Sequence, residues 1–270
     1  MSVEHSLLGK DTQYPQHYQP EVLFPIARAP ARVNYAHVKG IQQGTDWWHI
    51  FEISWLNAAG IPRVAIGRMH LPASSPHLIE SKSLKLYFNS LNFHRFDSAQ
   101  DFIELVEKDL TQAAGAPVRL ELIPVDALEI AQPTGICIDD HIPERLSEHP
   151  DATLLKLSAS NEHVELNLYS HLLRSNCPVT GQPDWGTVFI RIQGVAPCYA
   201  SLLAYIISYR QHNGFHEQCV EQMYADIWQQ LKPEKLMVYA TYTRRGGLDI
   251  NPCRVSDDSW MPNPIRLARQ

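Results

Sequence analysis

One cysteine in a polar turn is the residue of this sequence with the clearest potential for covalent chemistry. Cys177 lies in the stretch SNCPVTGQPDWG, and Asp184 follows it seven residues later. A free thiol has a pKa of about 8.5 and reacts as the thiolate, so a nucleophilic cysteine needs a base or a dipole nearby. Asp184 can be that acid/base partner. Packing, metal binding and reaction stay open for Cys177, and Asp184 also fits a turn carboxylate. The polar neighbours predict a thiol near solvent or a cleft.

Three other short segments carry polar groups that can bind a ligand. His216 and Glu217 begin a predicted helix, where the helix dipole favours an acidic residue, and helix capping explains them equally well. Glu80 and Lys82 belong to the stretch ESKSLK at the start of another predicted helix, which also fits a solvated charged face. The stretch TRRGG at residues 243–247 is typical of a hairpin turn.

Composition and motifs exclude several classes of protein. The sequence contains no G-x-G-x-x-G, P-loop or H-E-x-x-H motif, and its five cysteines form no C-x-x-C pair. A disulfide framework and a common structural zinc site are therefore not indicated. The net charge of -6 argues against a nucleic-acid-coating protein. The N-terminal residues show no export signal, and no apolar run approaches the roughly 20 residues that span a bilayer, so we expect a cytoplasmic protein.

The first half of the chain predicts strands and helices in a clear order. Alternating runs at 47–55 and 63–71 predict a strand hairpin, and 118–123 predicts a further strand. A helix with a buried face is predicted from residue 81 to 92. A second helix is predicted between 98 and 115, because Ser98 and Asp101 form a capping-box pattern and Gly115 is a stop signal.

The second half repeats this order. Alternation at 163–171 and 185–193 predicts two strands, and 198–209 is apolar nearly all round, which predicts a buried helix. Apolar residues spaced four apart predict a helix over 215–231, and 235–255 predicts a strand hairpin around TRRGG.

This element order predicts an α+β fold built of two tandem modules, each an antiparallel sheet with helices on one face. We place the modules at residues 1–128 and 129–270, because the turn-rich stretch from 125 to 151 separates the two similar element orders.

Taken together, CPVTGQPDWG, ESKSLKLY and FHEQCVE resemble the signature segments of the NADPH-dependent nitrile reductases of queuosine biosynthesis, a tRNA-modification pathway. The resemblance runs from about Tyr14 to the last residue. Members of that family convert 7-cyano-7-deazaguanine (preQ0) to 7-aminomethyl-7-deazaguanine (preQ1) and have a tunnelling fold. The resemblance therefore implies two tunnelling-fold modules, a free small-molecule substrate with no direct nucleic-acid partner and no membrane, and assembly into a homodimer.

The resemblance also implies roles for individual residues. Cys177 matches the nucleophile that forms a covalent thioimide with the nitrile, and Asp184 matches the acid/base group. His216 matches a substrate-binding position and a group that assists proton transfer. Further positions match substrate-binding residues (Ile79, Glu80, Ser81 and Glu217) or NADPH-binding residues (Ser81, Lys82, Arg245 and Gly246). Two NADPH are used for each nitrile, and no metal is expected.

The motifs are divided between the halves, since ESKS occurs only in the first and the Cys–Asp and FHE segments only in the second. We therefore expect one complete set of functional residues per chain.

Two other interpretations compete with the reductase. A zinc-dependent cyclohydrolase of the same fold would need further ligands beside Cys177, and the candidates His171, Cys219 and His216 lack recognisable spacing. A non-catalytic purine- or tRNA-binding module would tolerate replacement of Cys177.

Overall fold

The fold is described from a computed structural model that covers residues 14–270. The described residues up to Pro30 form unit 1 together with Asp46–Glu129 and Arg244–Asp249. Unit 2 consists of Ala31–Thr45, Ile130–Thr243 and Ile250–Gln270. The elements, in chain order, are β1 (Pro25–Ala27), α1 (Ala29–Arg32), β2 (Gly44–Asn57), β3 (Pro62–Pro72), β4 (His77–Ile79), α2 (Ser81–Ser90), β5 (Arg95–Phe96), α3 (Ala99–Ala114), β6 (Arg119–Ile123), β7 (Ile136–Cys137), β8 (His163–Asn176), β9 (Pro183–Val195), α4 (Tyr199–Ile207), α5 (His216–Leu231), β10 (Lys235–Tyr242) and β11 (Leu248–Val255).

In unit 1, strands β6, β3 and β2 are neighbours in that order, and β3 pairs with β6 in antiparallel register. The predicted capping box of α3 is confirmed, because Ser98 N–H donates to Asp101 and Asp101 N–H donates to Ser98 Oγ. Gly115 ends the helix with a φ of 71°. The apolar face of α3 packs into the core, where Phe102 stacks on Trp55 with ring centroids 4.8 Å apart. This face explains why the 3.6-residue periodicity was visible in the sequence.

A late segment of the chain, Arg244–Asp249, completes unit 1. Asp249 accepts a hydrogen bond from the backbone N–H of His49 at 3.0 Å, and its carboxylate also lies 3.0 Å from His49 Nδ1. Both side chains have no exposed surface. A buried carboxylate needs such partners, because an uncompensated buried charge is costly.

In unit 2, strands β11, β10, β9, β8 and β7 lie side by side in that order. The β8–β9 and β9–β10 pairs are antiparallel. The predicted buried helix is confirmed as α4, and the predicted stripe of α5 is confirmed in its buried residues Cys219, Met223, Ile227 and Leu231. Both helices pack with β8, β9 and β10 in one apolar core.

A buried ion cluster fixes α5 within unit 2. Glu221 accepts hydrogen bonds from Arg32 at 2.5 and 3.1 Å and from Arg254 at 2.6 and 3.2 Å. All three side chains are buried. The carboxylate lies between two guanidinium groups, so its removal would leave two buried cations.

The α+β prediction is confirmed, with two differences. The short strands β5 and β7 pair in parallel with β2 and β8, and residues 25–32, for which no element was predicted, contain β1 and α1. One segment of unit 1 ends at Glu129, next to the predicted boundary at 128. Residues 31–45, however, belong to unit 2 although the segments on both sides of them belong to unit 1. Residues 244–249 belong to unit 1 although the segments on both sides of them belong to unit 2. The division into two tunnelling-fold modules at residues 1–128 and 129–270 stays a prediction. Within residues 14–270, no helix combines the length and apolar character needed to cross a membrane.

Candidate functional site

The loop between β8 and β9 holds Cys177 in a closed turn. Its backbone N–H donates to the carbonyl of Gln182 at 2.9 Å, and the N–H of Gly181 donates to the carbonyl of Cys177 at 3.0 Å. Gly181 has a φ of +67°, a conformation that glycine adopts without strain. Cys177 is only 4% exposed although residues 178–183 are all exposed. The alternative of a thiol near solvent is therefore wrong, whereas a thiol that faces a cleft stays a prediction.

Asp184 and His216 form a buried pair. Asp184 lies on β9 opposite Ser175 of β8 and is 3% exposed, so it is not a solvated turn carboxylate. Its Oδ2 atom lies 3.3 Å from Nε2 of His216. The His216 imidazole stacks on the ring of Tyr242, with centroids 3.9 Å apart. A histidine held between a carboxylate and an aromatic face is suited to moving a proton at a fixed position.

The beginning of α5 places a second carboxylate in unit 2. Glu217 lies in the first turn and is 1% exposed. Burial, together with the charges of Asp184 and Glu217, raises the pKa of the neighbouring Cys219 thiol from 9.0 to about 12. Cys219 is therefore a neutral core residue, as predicted, and its surroundings show that both carboxylates lie near it.

Cys177 and Asp184 also lie at the same end of the β8–β9 pair, because Asn176 and Ser175 are paired with Pro183 and Asp184. Unit 2 thus brings together four of the predicted residues, which are Cys177, Asp184, His216 and Glu217.

In unit 1, Glu80 caps α2. Its Oε1 atom accepts from the N–H of Lys82 at 2.7 Å, and its Oε2 atom accepts from the N–H of Ser83 at 2.8 Å. The Ser81 hydroxyl donates to Oε1 at 3.4 Å. Glu80 is 1% exposed and follows the buried Ile79 at the end of β4, so the alternative of a solvated charged face is wrong for this residue.

A tight turn brings Gly246 to a cation-lined cavity of unit 1. The N–H of Arg245 donates to the carbonyl of Leu248 at 2.8 Å, and Gly246 has a φ of +56°, which confirms the predicted hairpin turn. The cavity measures about 280 Å³, and its walls include Lys82, Lys85 and Gly246. A Cβ atom at Gly246 would lie 3.1 Å from Lys85 Nζ, so glycine allows the ammonium group to approach the backbone. The wall also includes the carboxylate of Glu52, which the two lysines outnumber, so the remaining positive charge and the close backbone suit a phosphate-bearing ligand.

The sequence did not predict a role for Tyr242, because an aromatic residue at the end of a strand carries no local signal of contact with a histidine 26 residues away. Among residues 14–270, no group of three or more His, Cys, Asp and Glu side chains is placed to hold a metal ion. The three candidate zinc ligands are used otherwise. Nδ1 of His171 lies 2.9 Å from Thr187 Oγ1, Cys219 is a neutral buried thiol, and His216 contacts Asp184.

Two family models match the chain. The model described as "Nitrile reductase, 7-cyano-7-deazaguanine-reductase N-term" matches residues 14–122, and the model described as "QueF-like protein" matches residues 183–259. Among solved structures, the crystal structure of the archaeosine synthase QueF-Like in the apo form is 17% identical, with a TM-score of 0.31 over 34% of this chain and 91% of that chain. At this TM-score the likeness adds nothing to the family assignment.

Whole-length relatives share one name, "NADPH-dependent 7-cyano-7-deazaguanine reductase". The relative from Acinetobacter baumannii (strain AYE) is 78% identical over 270 residues, which cover 100% of both chains. The relative from Acinetobacter baylyi (strain ATCC 33305 / BD413 / ADP1) is 74% identical over 271 residues, with the same coverage. The relative from Psychrobacter cryohalolentis (strain ATCC BAA-1226 / DSM 17306 / VKM B-2378 / K5) is 51% identical over 283 residues, which cover 98% of this chain and 99% of the relative.

Proposed function

Because this chain belongs to the family of NADPH-dependent 7-cyano-7-deazaguanine reductases, we propose that it reduces the nitrile of 7-cyano-7-deazaguanine to the primary amine of 7-aminomethyl-7-deazaguanine. The observation that carries the proposal is the Cys177 turn at the same end of β8–β9 as the buried Asp184–His216 pair. A nucleophile, a carboxylate and an imidazole in one buried region are the groups that covalent reduction of a nitrile needs.

Cys177 is the proposed nucleophile. Its thiolate attacks the nitrile carbon, one π bond of the nitrile breaks, and a C–S bond forms, which gives a thioimide. Asp184 takes the thiol proton and delivers it to the nitrogen that receives the electron pair. The thioimide carbon accepts hydride more readily than the nitrile carbon, so the covalent step divides one difficult reaction into easier ones. A general acid/base of this kind contributes about 10²–10⁴ in rate.

Reduction of a nitrile to a primary amine takes four electrons, and NADPH supplies these as two hydrides per product. Cys177 is released as the thiolate when the C–S bond breaks after the first reduction, which leaves an imine. We propose that His216, whose Nε2 atom lies 3.3 Å from Asp184 Oδ2, holds the proton that the nitrogen takes up in the second reduction.

Carboxylates explain recognition of the guanine-like edge of the substrate. An ionised carboxylate has about four lone-pair sites and binds adjacent N–H donors in a bidentate manner. Glu217 and Glu80 are each 1% exposed, so each presents its charge in a water-poor environment where such hydrogen bonds are strong. We assign His216 to substrate binding together with Glu217 in unit 2, and Ile79 and Ser81 to substrate binding together with Glu80 in unit 1.

The cation-lined cavity of unit 1, at about 280 Å³, has room for a phosphate-bearing part of NADPH. Lys82 and Gly246 line this cavity, and Ser81 and Arg245 are their immediate chain neighbours. The left-handed conformation of Gly246 gives a close backbone approach that a side chain would obstruct. We therefore propose that Ser81, Lys82, Arg245 and Gly246 bind NADPH.

We also propose that the protein acts in queuosine biosynthesis as a cytoplasmic homodimer on the free 7-deazaguanine. The scattered cysteines support a reducing compartment, and the net charge of -6 argues against direct contact with tRNA. The homodimer rests on the resemblance to tunnelling folds, which close by association.

Intact-protein mass spectrometry tests the covalent step. Wild-type protein mixed with 7-cyano-7-deazaguanine, without NADPH, should gain the mass of one whole substrate molecule, because addition to a nitrile expels no group. Cys177→Ala should gain none, and Cys137→Ala, which removes an exposed cysteine, should behave as wild type. The adduct should disappear when NADPH is added. An unmodified wild type that binds the substrate by calorimetry would refute the thioimide and favour a binding module.

A further inference from the structure

The last residues of the chain are folded against strands that carry the candidate site of unit 2. Gln270 is 5% exposed, and its side-chain Oε1 accepts from the N–H of Leu267 at 2.8 Å. Its side-chain Nε2 donates to Oδ1 of Asn251 at 2.8 Å and to the carbonyl of Tyr242 at 3.2 Å. Each polar atom of this amide is therefore engaged in a hydrogen bond.

Tyr242 is held by side chains where the strand ladder ends. The register pairs of β10 and β11 run from Met237↔Val255 to Tyr239↔Cys253. Beyond them, the N–H of Tyr242 donates to Oδ1 of Asn251 at 3.2 Å. The side chains of Asn251 and Gln270 thus bond the N–H and the carbonyl of Tyr242 on the side facing β11, beyond the last register pair of β10 and β11.

The neighbouring Arg269 fixes the same segment to β8 and β9. Its guanidinium donates to the carbonyl of His171 at 2.8 Å and to Thr187 Oγ1 at 3.1 Å, and it also donates to the carbonyl of Gly186. Gly186 lies two residues after Asp184 on β9 and is the register partner of Tyr242. The two last side chains therefore contact the strands that carry Asp184 and Tyr242.

We infer that Gln270 and Arg269 are positioning residues that hold the Tyr242 ring against His216, and so hold His216 beside Asp184. This inference rests on the proposed roles of His216 and Asp184. The chain of contacts runs from the Gln270 amide to the Tyr242 backbone, from the Tyr242 ring to the imidazole at 3.9 Å, and from the imidazole to Asp184 at 3.3 Å. Proton transfer demands such fixed geometry, because a displacement of about 1 Å costs on the order of 100-fold in rate.

Two substitutions at one position test the inference. Gln270→Ala removes all the side-chain hydrogen bonds, and Gln270→Glu keeps the shape while replacing the N–H donor with an acceptor. Both should lower kcat by about 10- to 100-fold and leave the KM for NADPH unchanged. The pH–rate profile should change, because it reports the groups that transfer protons. Asn263→Ala, at an exposed position of the same segment, is the matched control and should match wild type.

A measurement without turnover separates this inference from the proposed function. The stacked Tyr242 ring shifts the imidazole resonances of His216, which can be assigned by comparison with His216→Asn. Loss of this ring-current shift in folded Gln270→Glu would support the positioning role even if wild-type protein formed no substrate adduct. A wild-type kcat together with wild-type His216 resonances in either folded Gln270 variant would overturn the inference.

Discussion

Glu80 caps a helix and is also proposed to bind substrate, and substitutions of this residue separate the two roles. Its two carboxylate oxygens accept from the N–H groups of Lys82 and Ser83 at 2.7 and 2.8 Å, so Glu80 caps α2 whether or not it binds substrate. Loss of an N-cap costs about 0.5–2 kcal/mol of stability. Glu80→Ala should therefore destabilise unit 1 by about 1–2 kcal/mol. Glu80→Gln keeps one acceptor oxygen and should cost less than Glu80→Ala.

The binding role predicts a different ranking. A hydrogen bond to a charged group is worth about 1.5–3 kcal/mol, which corresponds to about 10- to 150-fold in affinity. Glu80→Gln should weaken binding of 7-cyano-7-deazaguanine by this factor, because the amide replaces one acceptor with a donor that faces the N–H groups of the substrate. The loss of affinity should thus be large where the loss of stability is small.

Calorimetry of substrate binding and urea denaturation of the same samples measure the two quantities. Ser98→Ala is the matched control, since Ser98 caps α3 in the same unit and is not a proposed ligand-binding residue. It should lower stability by about 1 kcal/mol and leave affinity unchanged. If Glu80→Gln bound the substrate as well as Ser98→Ala does, Glu80 would be only a helix cap and the proposed contact would be wrong.

Three further outcomes are expected. Glu221→Gln should lower the free energy of unfolding in urea by about 3–5 kcal/mol, because it leaves two buried guanidinium groups without their carboxylate. A loss below about 1 kcal/mol, which is typical of exposed ion pairs, would contradict a stabilising role of the buried cluster. Gly246→Ala should lower the free energy of unfolding by about 1–2 kcal/mol, because residue 246 has a left-handed conformation, and it should also raise the KM for NADPH. The control Gly60→Ala, at a φ of +79°, should lower stability alone. Equal KM values for NADPH in the two variants would argue against a cofactor contact at Gly246. Burial raises the pKa of the Cys219 thiol from 9.0 to about 12. The neutral thiol therefore makes its full contribution to the free energy of unfolding below pH 9, and this contribution is lost as the pH rises from 9 towards 12. Iodoacetamide at pH 9 should therefore label the exposed Cys137 in the native protein and Cys219 only after unfolding. Labelling of Cys219 in the native protein would refute burial as the cause of its raised pKa.

Local sequence signals predicted the elements of this fold well. The capping box of α3, the alternation of β8 and β9 and the turn at Gly246 each depend on residues within a few positions of one another, so a short window contains their cause. The parallel pairing of β5 and β7 was not predicted, because two-residue strands carry no period and obtain their hydrogen bonds from a distant partner.

The candidate site was only partly predictable for the same reason. Residue types in two motifs predicted Cys177, Asp184 and His216 as site residues, but not the burial of Cys177. The polar composition of its loop reflects the exposed residues 178–183, and one side chain of a turn can point inwards while its neighbours face water. The contact between Gln270 and Tyr242 joins residues 28 positions apart without any periodic pattern, so only the folded chain reveals it.

The late segment that completes unit 1 affects the order in which the protein becomes whole during synthesis. A ribosome that has translated up to Glu129 has made most of unit 1 but not Arg244–Asp249. His49 then lacks the carboxylate that receives its backbone N–H in the finished protein. By the time Asp249 leaves the exit tunnel, most of unit 2 is already available to fold, so the half translated first is completed only when nearly the whole chain has been made. Gene fragments that end near residue 129 should accordingly give an N-terminal product that folds poorly, and co-expression of a second fragment starting near residue 130 should restore it.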